Sequence, residues 1–234
     1  MEKYITVNKV KSLAPFVNLA ITTKEIDSKN MNDLRDTFDK EFTLNNLTSN
    51  IQIHSDIVHI VNSGNIGLRR EGDALITNIT NVPLLVFTAD CVPVAIIDTK
   101  NKVIGVAHAG WRGTYDEISK KTVERMMLDY NSNPSDIVAV IGPSISDCCY
   151  QVSEDLYNKF KDRFKDSRDT YLIKENQYYL NLQNINKYSL ESCGVKSEYI
   201  FDMNICTSCN SDKYHSYRMH DKTQKRIGML VEIL

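Results

Sequence analysis

The chain has 234 residues, with 28 Lys or Arg against 30 Asp or Glu and a formal net charge of -2, enough length for one self-sufficient core and so for a single domain over residues 1–234. The basic residues are scattered rather than blocked, which argues against nucleic acid as a partner. No apolar run approaches the roughly 18 residues of a membrane span, the start lacks the apolar core of a secretion signal, and six irregularly spaced cysteines do not make a disulfide-stapled scaffold, so a soluble, cytoplasmic protein with free thiols and no membrane partner is expected.

Residues 4–10 and 51–61 read as strands, separated by a polar stretch of helical spacing around residues 31–42. Residues 84–88 and 92–98 follow as strand material of a hairpin candidate, and Thr99-Lys100-Asn101-Lys102 turns the chain into another strand over 103–108. These runs are apolar on both faces, as expected of central strands covered from both sides. Thr114, with Glu117 three residues on, forms a capping box for a helix to Tyr130 that carries Ile118, Val123, Met126 and Met127 on one face. Residues 136–142 make a short strand, Ser153 opens a helix bearing Leu156, Phe160 and Phe164, and residues 181–193 make a third helix stopped by Gly194. Strands over 198–203, 214–219 and 226–234 close the chain. No repeat period and no low-complexity segment is present. Hairpins interleaved with helices indicate an α/β (α+β layered) domain, a mixed β-sheet with flanking helices, rather than a doubly wound parallel sheet.

Two of these strands end in metal-competent side chains. Leu84-Leu85-Val86-Phe87-Thr88-Ala89-Asp90-Cys91 stops at a thiol, and Val103-Ile104-Gly105-Val106-Ala107-His108 stops at an imidazole. His54, which alternation places opposite Ile53, is by itself an ordinary half-buried or surface histidine. Grouped with Cys91 and His108 it completes a His, Cys, His set that suits zinc or copper and leaves one coordination position open for catalysis. Cys91 could otherwise be a small buried hydrophobe. Asp90 beside it argues against that, because a carboxylate at the end of an apolar strand is costly to bury without a cation or a proton-transfer role. Gly110 and Gly113 bracket Trp111 and Arg112 just before a helix N-terminus, where the free amides of Gly113-Thr114 and the Arg112 fork suit a phosphate; a tight turn with a stacking Trp is the plainer reading of the same loop.

Weaker candidates remain. Residues 141–150 resemble a strand running into a loop, where sites of α/β proteins commonly lie, but the adjacent Cys148 and Cys149 are ill suited to share one small ion. Cys206-Thr207-Ser208-Cys209 has zinc-knuckle spacing and, with His215 and His220, makes a possible Cys2His2 structural site. Asp73 is read as a loop cap in preference to an acid supporting the ligands. Tyr217 and Arg218 either line a pocket or belong to a solvated face.

The motifs Thr88-Ala89-Asp90-Cys91-Val92-Pro93, Ala107-His108-Ala109-Gly110-Trp111-Arg112-Gly113-Thr114, Gly142-Pro143-Ser144-Ile145 with Cys148-Cys149-Tyr150-Gln151-Val152, Cys206-Thr207 and Ser216-Tyr217-Arg218 occur in one order. Together they strongly resemble the YfiH/YlmD family of laccase-domain, FAMIN-like proteins, and the likeness covers most of the chain from about Gln52 onward. The resemblance implies a zinc-dependent purine nucleoside enzyme. Its reactions would be phosphorolysis of adenosine, inosine, guanosine and S-methyl-5'-thioadenosine to base plus ribose-1-phosphate, and hydrolytic deamination of adenosine. By motif position it assigns the metal to His54, Cys91 and His108, and it brings Cys149 into the catalytic set with Asp90 and Arg112, and Asn18, Tyr217 and Arg218 into the substrate set with Arg112, Gly113 and Thr114. Departures are Asn18-Leu19-Ala20 for Asn-Leu-Gly, Gln52-Ile53-His54-Ser55 for Gln-Val-His-Gly, and His215-Ser216-Tyr217-Arg218-Met219 for Phe-Ser-Tyr-Arg-Arg, which loses one basic residue.

Both reactions would share one pocket, with purine nucleoside and phosphate as partners and a monomer or homodimer as the unit. The family's earlier assignment as a polyphenol oxidase makes copper the alternative metal and a laccase-like oxidase the alternative function. Five histidines are too few for a multicopper, four-electron site. A third alternative is a non-catalytic metal-binding partner protein, which would have no need of Asp90 and Arg112 beside the ligands.

Overall fold

A computed structural model describes residues 2–234. The chain runs β1 (Tyr4–Ile5), α1 (Asn8–Leu13), β2 (Val17–Thr22), α2 (Met31–Phe38), β3 (Thr48–Ser49), β4 (Val58–Ile60), β5 (Ala74–Thr77), β6 (Leu84–Thr88), β7 (Val92–Asp98), β8 (Val103–Ala109), α3 (Trp111–Tyr115), α4 (Ile118–Tyr130), β9 (Ile137–Ile141), β10 (Gln151–Val152), α5 (Glu154–Arg163), β11 (Tyr171–Lys174), β12 (Gln177–Leu180), α6 (Leu182–Ser192), β13 (Ile200–Asp202) and β14 (Ile227–Ile233). Two mixed sheets form the centre, in the orders β1-β2-β14-β6-β3 and β13-β9-β7-β8-β5-β4, and β10, β12 and β11 make a small third sheet.

The two large sheets pack face to face. Leu19, Ile21, Leu84, Val86, Met229 and Val231 of the first meet Leu75, Ala95, Ile97, Ile104, Val106, Val138 and Val140 of the second in one buried cluster. The outer face of the second sheet, with Ile76, Val94, Ile96 and Ile141, is covered by α4, α5 and α6 through Ile118, Val123, Met126, Phe160 and Ile185. On the outer face of the first, Ala20, Leu85 and Leu230 pack beneath Leu34 and Phe38 of α2. All seven residues of β7 and all seven of β8 are buried, as strands apolar on both faces require. The layered, mixed α/β fold is as the order of elements implied. Among the described residues no helix is long and apolar enough to cross a membrane.

Several local expectations are corrected. Residues 4–10 are not one strand: β1 ends at Ile5 and α1 takes over, since Val10 and Ala14, four apart, bury one helical stripe. The helix placed at 31–42 ends at Phe38. Of 51–61 only Val58–Ile60 is strand; the residues before it wrap around Asp73, and His54 adopts φ +60°. Residues 84–88 and 92–98 do not pair with each other: β6 lies between β14 and β3, whereas β7 joins β8 and β9. The hairpin is β7–β8, closed by Asp98, whose carboxylate accepts from Lys100 N and Asn101 N. The capping box does not form either. Thr114 lies within α3, and the chain breaks before α4 at Glu117, which takes φ +59° without a side-chain cap. Residues 214–219 hold no strand; residues 217–219 are a turn. Six strands lie outside the ranges read from the sequence, β2, β3, β5, β10, β11 and β12; in β2, Val17, Leu19 and Ile21 alternate onto the core.

Candidate metal centre

Cys91 occupies the short link between β6 and β7, where the chain leaves one large sheet and enters the other. Next to it in the second sheet runs β8, with His108 opposite Pro93, and beside β8 comes β5, whose Ala74 faces Ala107. Asp73 therefore arrives alongside His108, and its carbonyl accepts the His108 N–H at 2.7 Å. His54 is delivered by the loop ahead of β4. That loop is bound to the same aspartate: Asp73 Oδ1 accepts from His54 N at 3.0 Å, and Oδ2 from Ile53 N at 3.2 Å, Ser55 N at 2.7 Å and Ser55 Oγ at 2.7 Å.

The three side chains converge. Their ligating atoms lie within 4.8 Å of one another, Cys91 Sγ is 3.8 Å from His54 Nε2, and the imidazoles of His54 and His108 meet edge to face at 4.8 Å between centroids. A tetrahedral zinc with bonds of about 2.0 Å to nitrogen and 2.3 Å to sulfur sets neighbouring ligand atoms about 3.5 Å apart, so this donor set fits such an ion with little movement. His108 Nδ1 is 2.8 Å from Asp73 Oδ1, which orients the ring and leaves Nε2 as its ligand atom. Gly110 is needed by close approach: a Cβ there would stand 2.7 Å from His54 Cδ2 and 3.2 Å from Cys91 Sγ.

Electrostatics agree with the geometry. Burial works to raise the Asp73 carboxyl, but hydrogen bonds from His108 and Ser55 outweigh it and hold the group at about 2. Burial also acts to raise the Cys91 thiol, and the charge and hydrogen bond of His108, with a smaller part from His54, bring it down to about 6. His108 is in turn held above its ordinary value, since Cys91 and Asp73 outweigh the cost of burying its charge. A thiolate poised between two imidazoles is a strong ligand for a soft or borderline cation.

These residues open onto a cavity of about 800 Å³ lined by polar, aromatic and cationic groups. Lys29, Arg69, Arg112, Arg218 and Arg226 reach it from five separate segments, and Phe87, Trp111, Tyr150 and Tyr217 supply aromatic surface. Arg112 stacks on Trp111, its guanidinium carbon 4.5 Å from the ring centroid. Burial and the nearby Arg226 hold the Lys29 ammonium below its usual value, a sign of crowded positive charge. Burial and the neighbouring Cys91 push the Tyr150 hydroxyl up to about 12. Gln52 forms a two-point clamp on Phe87, donating Nε2 to its carbonyl at 2.8 Å and accepting its N–H at 2.7 Å.

The other sequence candidates divide. Arg112, Tyr217, Arg218 and Asp90 line the cavity. Asp90 adopts φ +83°, and its carboxylate accepts Thr207 Oγ1 at 2.7 Å and Arg218 N at 2.7 Å, so both oxygens are engaged in tying loops together. Gly113 and Thr114 are buried inside α3, the Thr114 N–H donating to Gly110 O. The helix begins at Trp111, earlier than expected, and these amides do not face the cavity. Asn18, on β2, donates to Glu41 O and lines a different, smaller pocket. Cys149 stands outside the cavity lining, among Cys148, Cys206 and Cys209. The expected Cys2His2 group does not assemble, because Cys206 and Cys209 meet those two cysteines while His215 and His220 pack against each other.

Asp73 is more than a loop cap, and an acid directly ahead of the apolar Ala74-Leu75-Ile76 is, like Asp90, a carboxylate at the end of an apolar run. Lys29, Arg69 and Arg226 had no local signal; only folding brings them to one rim.

A family model described as multi-copper polyphenol oxidoreductase laccase matches residues 6–233. The chain belongs to that family. It is 36% identical over 218 residues to a purine nucleoside phosphorylase of Clostridium acetobutylicum, covering 90% of this chain and 85% of that protein. It is 35% identical over 164 residues to the purine nucleoside phosphorylase YlmD of Bacillus subtilis, 69% of this chain and 58% of the relative. Among solved structures of similar fold, the hypothetical protein YfiH of Bacillus licheniformis superposes with a TM-score of 0.90 at 26% identity, over 100% of this chain and 97% of that one. YlmD of Geobacillus stearothermophilus gives 0.85 at 25% identity, over 94% and 93%. The YfiH/YlmD resemblance of the motifs is thus matched by the whole fold, within a family described as an oxidase whose curated relatives carry phosphorylase names.

Proposed function

We propose that the protein is a zinc-dependent purine nucleoside phosphorylase that releases the base from adenosine, inosine, guanosine or S-methyl-5'-thioadenosine as ribose-1-phosphate or its 5'-methylthio analogue forms. One observation carries the reading: the His54, Cys91, His108 donor set opens into a cavity that offers aromatic walls and five cationic side chains. A purine suits the aromatic surface, and phosphate suits the cations. The names of the relatives point the same way.

The residues divide the work. Arg112, stacked on Trp111, and the other rim cations would hold phosphate and set its oxygen toward C1′ of the ribose, which converts a bimolecular encounter into an oriented one. Cationic charge developing at the sugar would be stabilised by the bound anion. Asp90, through Thr207 and the backbone of Arg218, would position the loop carrying Tyr217 and Arg218; a proton-shuttling role for it would require one of those bonds to loosen. Asp73 would hold both imidazoles in place. Bound at the three ligands, zinc would supply Lewis acidity and lower the pKa of a water there, the requirement of the second proposed activity, hydrolytic deamination of adenosine in the same cavity.

A copper oxidase is the weaker reading because of its donors. Of the five histidines, only His54 and His108 face the cavity, and four-electron reduction of oxygen needs a multicopper cluster held by many more.

The test is metal analysis together with a product assay on adenosine, with and without phosphate, by chromatography that separates adenine, inosine and hypoxanthine. Stoichiometric zinc and phosphate-dependent adenine release are expected; inosine formed without phosphate would add deamination. Copper with no nucleoside turnover would overturn the proposal.

A further inference from the structure

Away from the cavity lining, four of the six cysteines form a second cluster that the proposed reaction does not use. Cys148 and Cys149 sit on a turn in which Cys149 N and Tyr150 N both donate to Ser146 O, and Cys206 and Cys209 sit on the turn after β13. The four sulfurs lie within 4.8 Å of one another, with Cys209 Sγ 3.5 Å from Cys148 Sγ and 3.4 Å from Cys149 Sγ.

We propose that Cys148, Cys149, Cys206 and Cys209 form a structural site for a thiolate-preferring divalent cation such as zinc, separate from the site at His54, Cys91 and His108. Two features argue for it. First, zinc–sulfur bonds of about 2.3 Å place tetrahedral sulfurs about 3.8 Å apart; Cys209 Sγ lies slightly inside that edge from Cys148 Sγ and Cys149 Sγ, and all four sulfurs lie within 4.8 Å of one another. The helical turn at 147–149 is what lets two adjacent cysteines reach one centre, which an extended chain would not allow.

Second, the thiolate support of a metal knuckle is in place. Ser146 N donates to Cys206 Sγ at 3.5 Å. A cation would offset the charge of four thiolates, and its uptake would release the remaining thiol protons.

The position explains the use. Ser144 N donates to Ile205 O at 3.1 Å and Thr207 N to Ser144 O at 3.0 Å, so the two cysteine-bearing loops already run side by side. From the same loops Ile145 N reaches Asp90 O at 2.9 Å and Thr207 reaches the Asp90 carboxylate. A metal held by four protein sulfurs has no open position and acts as a staple, here locking the wall of the cavity that includes Ile145, Tyr150 and Asp90.

The experiment is metal counting on protein purified under reducing conditions, for Cys91→Ser, Cys209→Ser and the double variant. Each single variant is expected to retain about one zinc per chain, and the double variant essentially none. Cobalt(II) added to Cys91→Ser is expected to give the strong thiolate-to-metal absorption of a tetrathiolate centre, and this measurement decides the matter if Cys209→Ser does not fold. A Cys91→Ser protein that binds neither zinc nor cobalt stoichiometrically overturns the proposal. So does a mass two hydrogens light for each bridge, four with all four cysteines joined in pairs, which would make the cluster a disulfide site.

Discussion

Asp73 Oδ1 lies 2.8 Å from His108 Nδ1, and because the same buried carboxylate gathers the N–H groups of residues 53–55, it sets the position of both histidines at once. Replacing it with Asn keeps the size but weakens the acceptor. Asp73→Asn is expected to lower zinc affinity by about 10- to 100-fold, measured by competition with a chromogenic chelator. Unchanged affinity would separate Asp73 from the metal centre.

The same carboxylate has a pH signature. Its folded pKa, about 2, is depressed, so its contribution to stability is complete above the ordinary aspartate value of about 3.9 and is lost as pH falls from there through about 2. Thermal melts of metal-free protein are expected to show the stability gap between wild type and Asp73→Asn narrowing across that interval. A gap constant down to about pH 2 would contradict the assignment.

In metal-free protein Cys91 is expected to alkylate as a low-pKa thiol. Its pKa of about 6 means that iodoacetamide labelling, followed by peptide mapping, rises through about pH 6 and levels off before the ordinary thiol value of about 8.5. His108→Ala should move the midpoint upward, and zinc should protect the residue. A wild-type midpoint near the ordinary value would show that His108 does not support the thiolate.

Gly110→Ala tests close packing at the ligands. The added methyl would stand 2.7 Å from His54 Cδ2, so His54 or the α3 entry must shift. Tm should change modestly while zinc affinity at the His54, Cys91, His108 site falls at least about tenfold, since ligand geometry is more demanding than fold stability. Unchanged affinity in a folded Gly110→Ala protein would show that His54 can relocate freely.

Arg112 is held at the cavity by its stacking on Trp111. Losing a charge-assisted contact worth about 1.5–3 kcal/mol is expected to raise the phosphate KM of Arg112→Ala by about 10- to 100-fold. Arg112→Lys should recover only part of this, because an ammonium lacks the planar fork. An unchanged phosphate KM would move phosphate to Arg69, Arg218 or Arg226.

What the chain by itself determined were the features encoded in neighbouring residues. The doubly apolar runs that became β7 and β8, the Ser153 cap that accepts Leu156 N and the Asn181 start of α6 are all of this kind, because side-chain type and period act over a few residues; the grouping of His54, Cys91 and His108 came from ligand type and motif resemblance instead. The tertiary structure alone decided how distant segments meet. It sent β6 and β7 into different sheets, turned the loop at His54 around Asp73, assembled cations from five segments into one rim, and drew Cys148 and Cys149 to Cys206 and Cys209 instead of leaving the latter with His215 and His220. The reason is that a buried carboxylate or a converging set of ligands is satisfied by whichever groups the packed sheets bring within about 3 Å, and that choice follows from strand pairing across the whole chain, on which local pattern is silent.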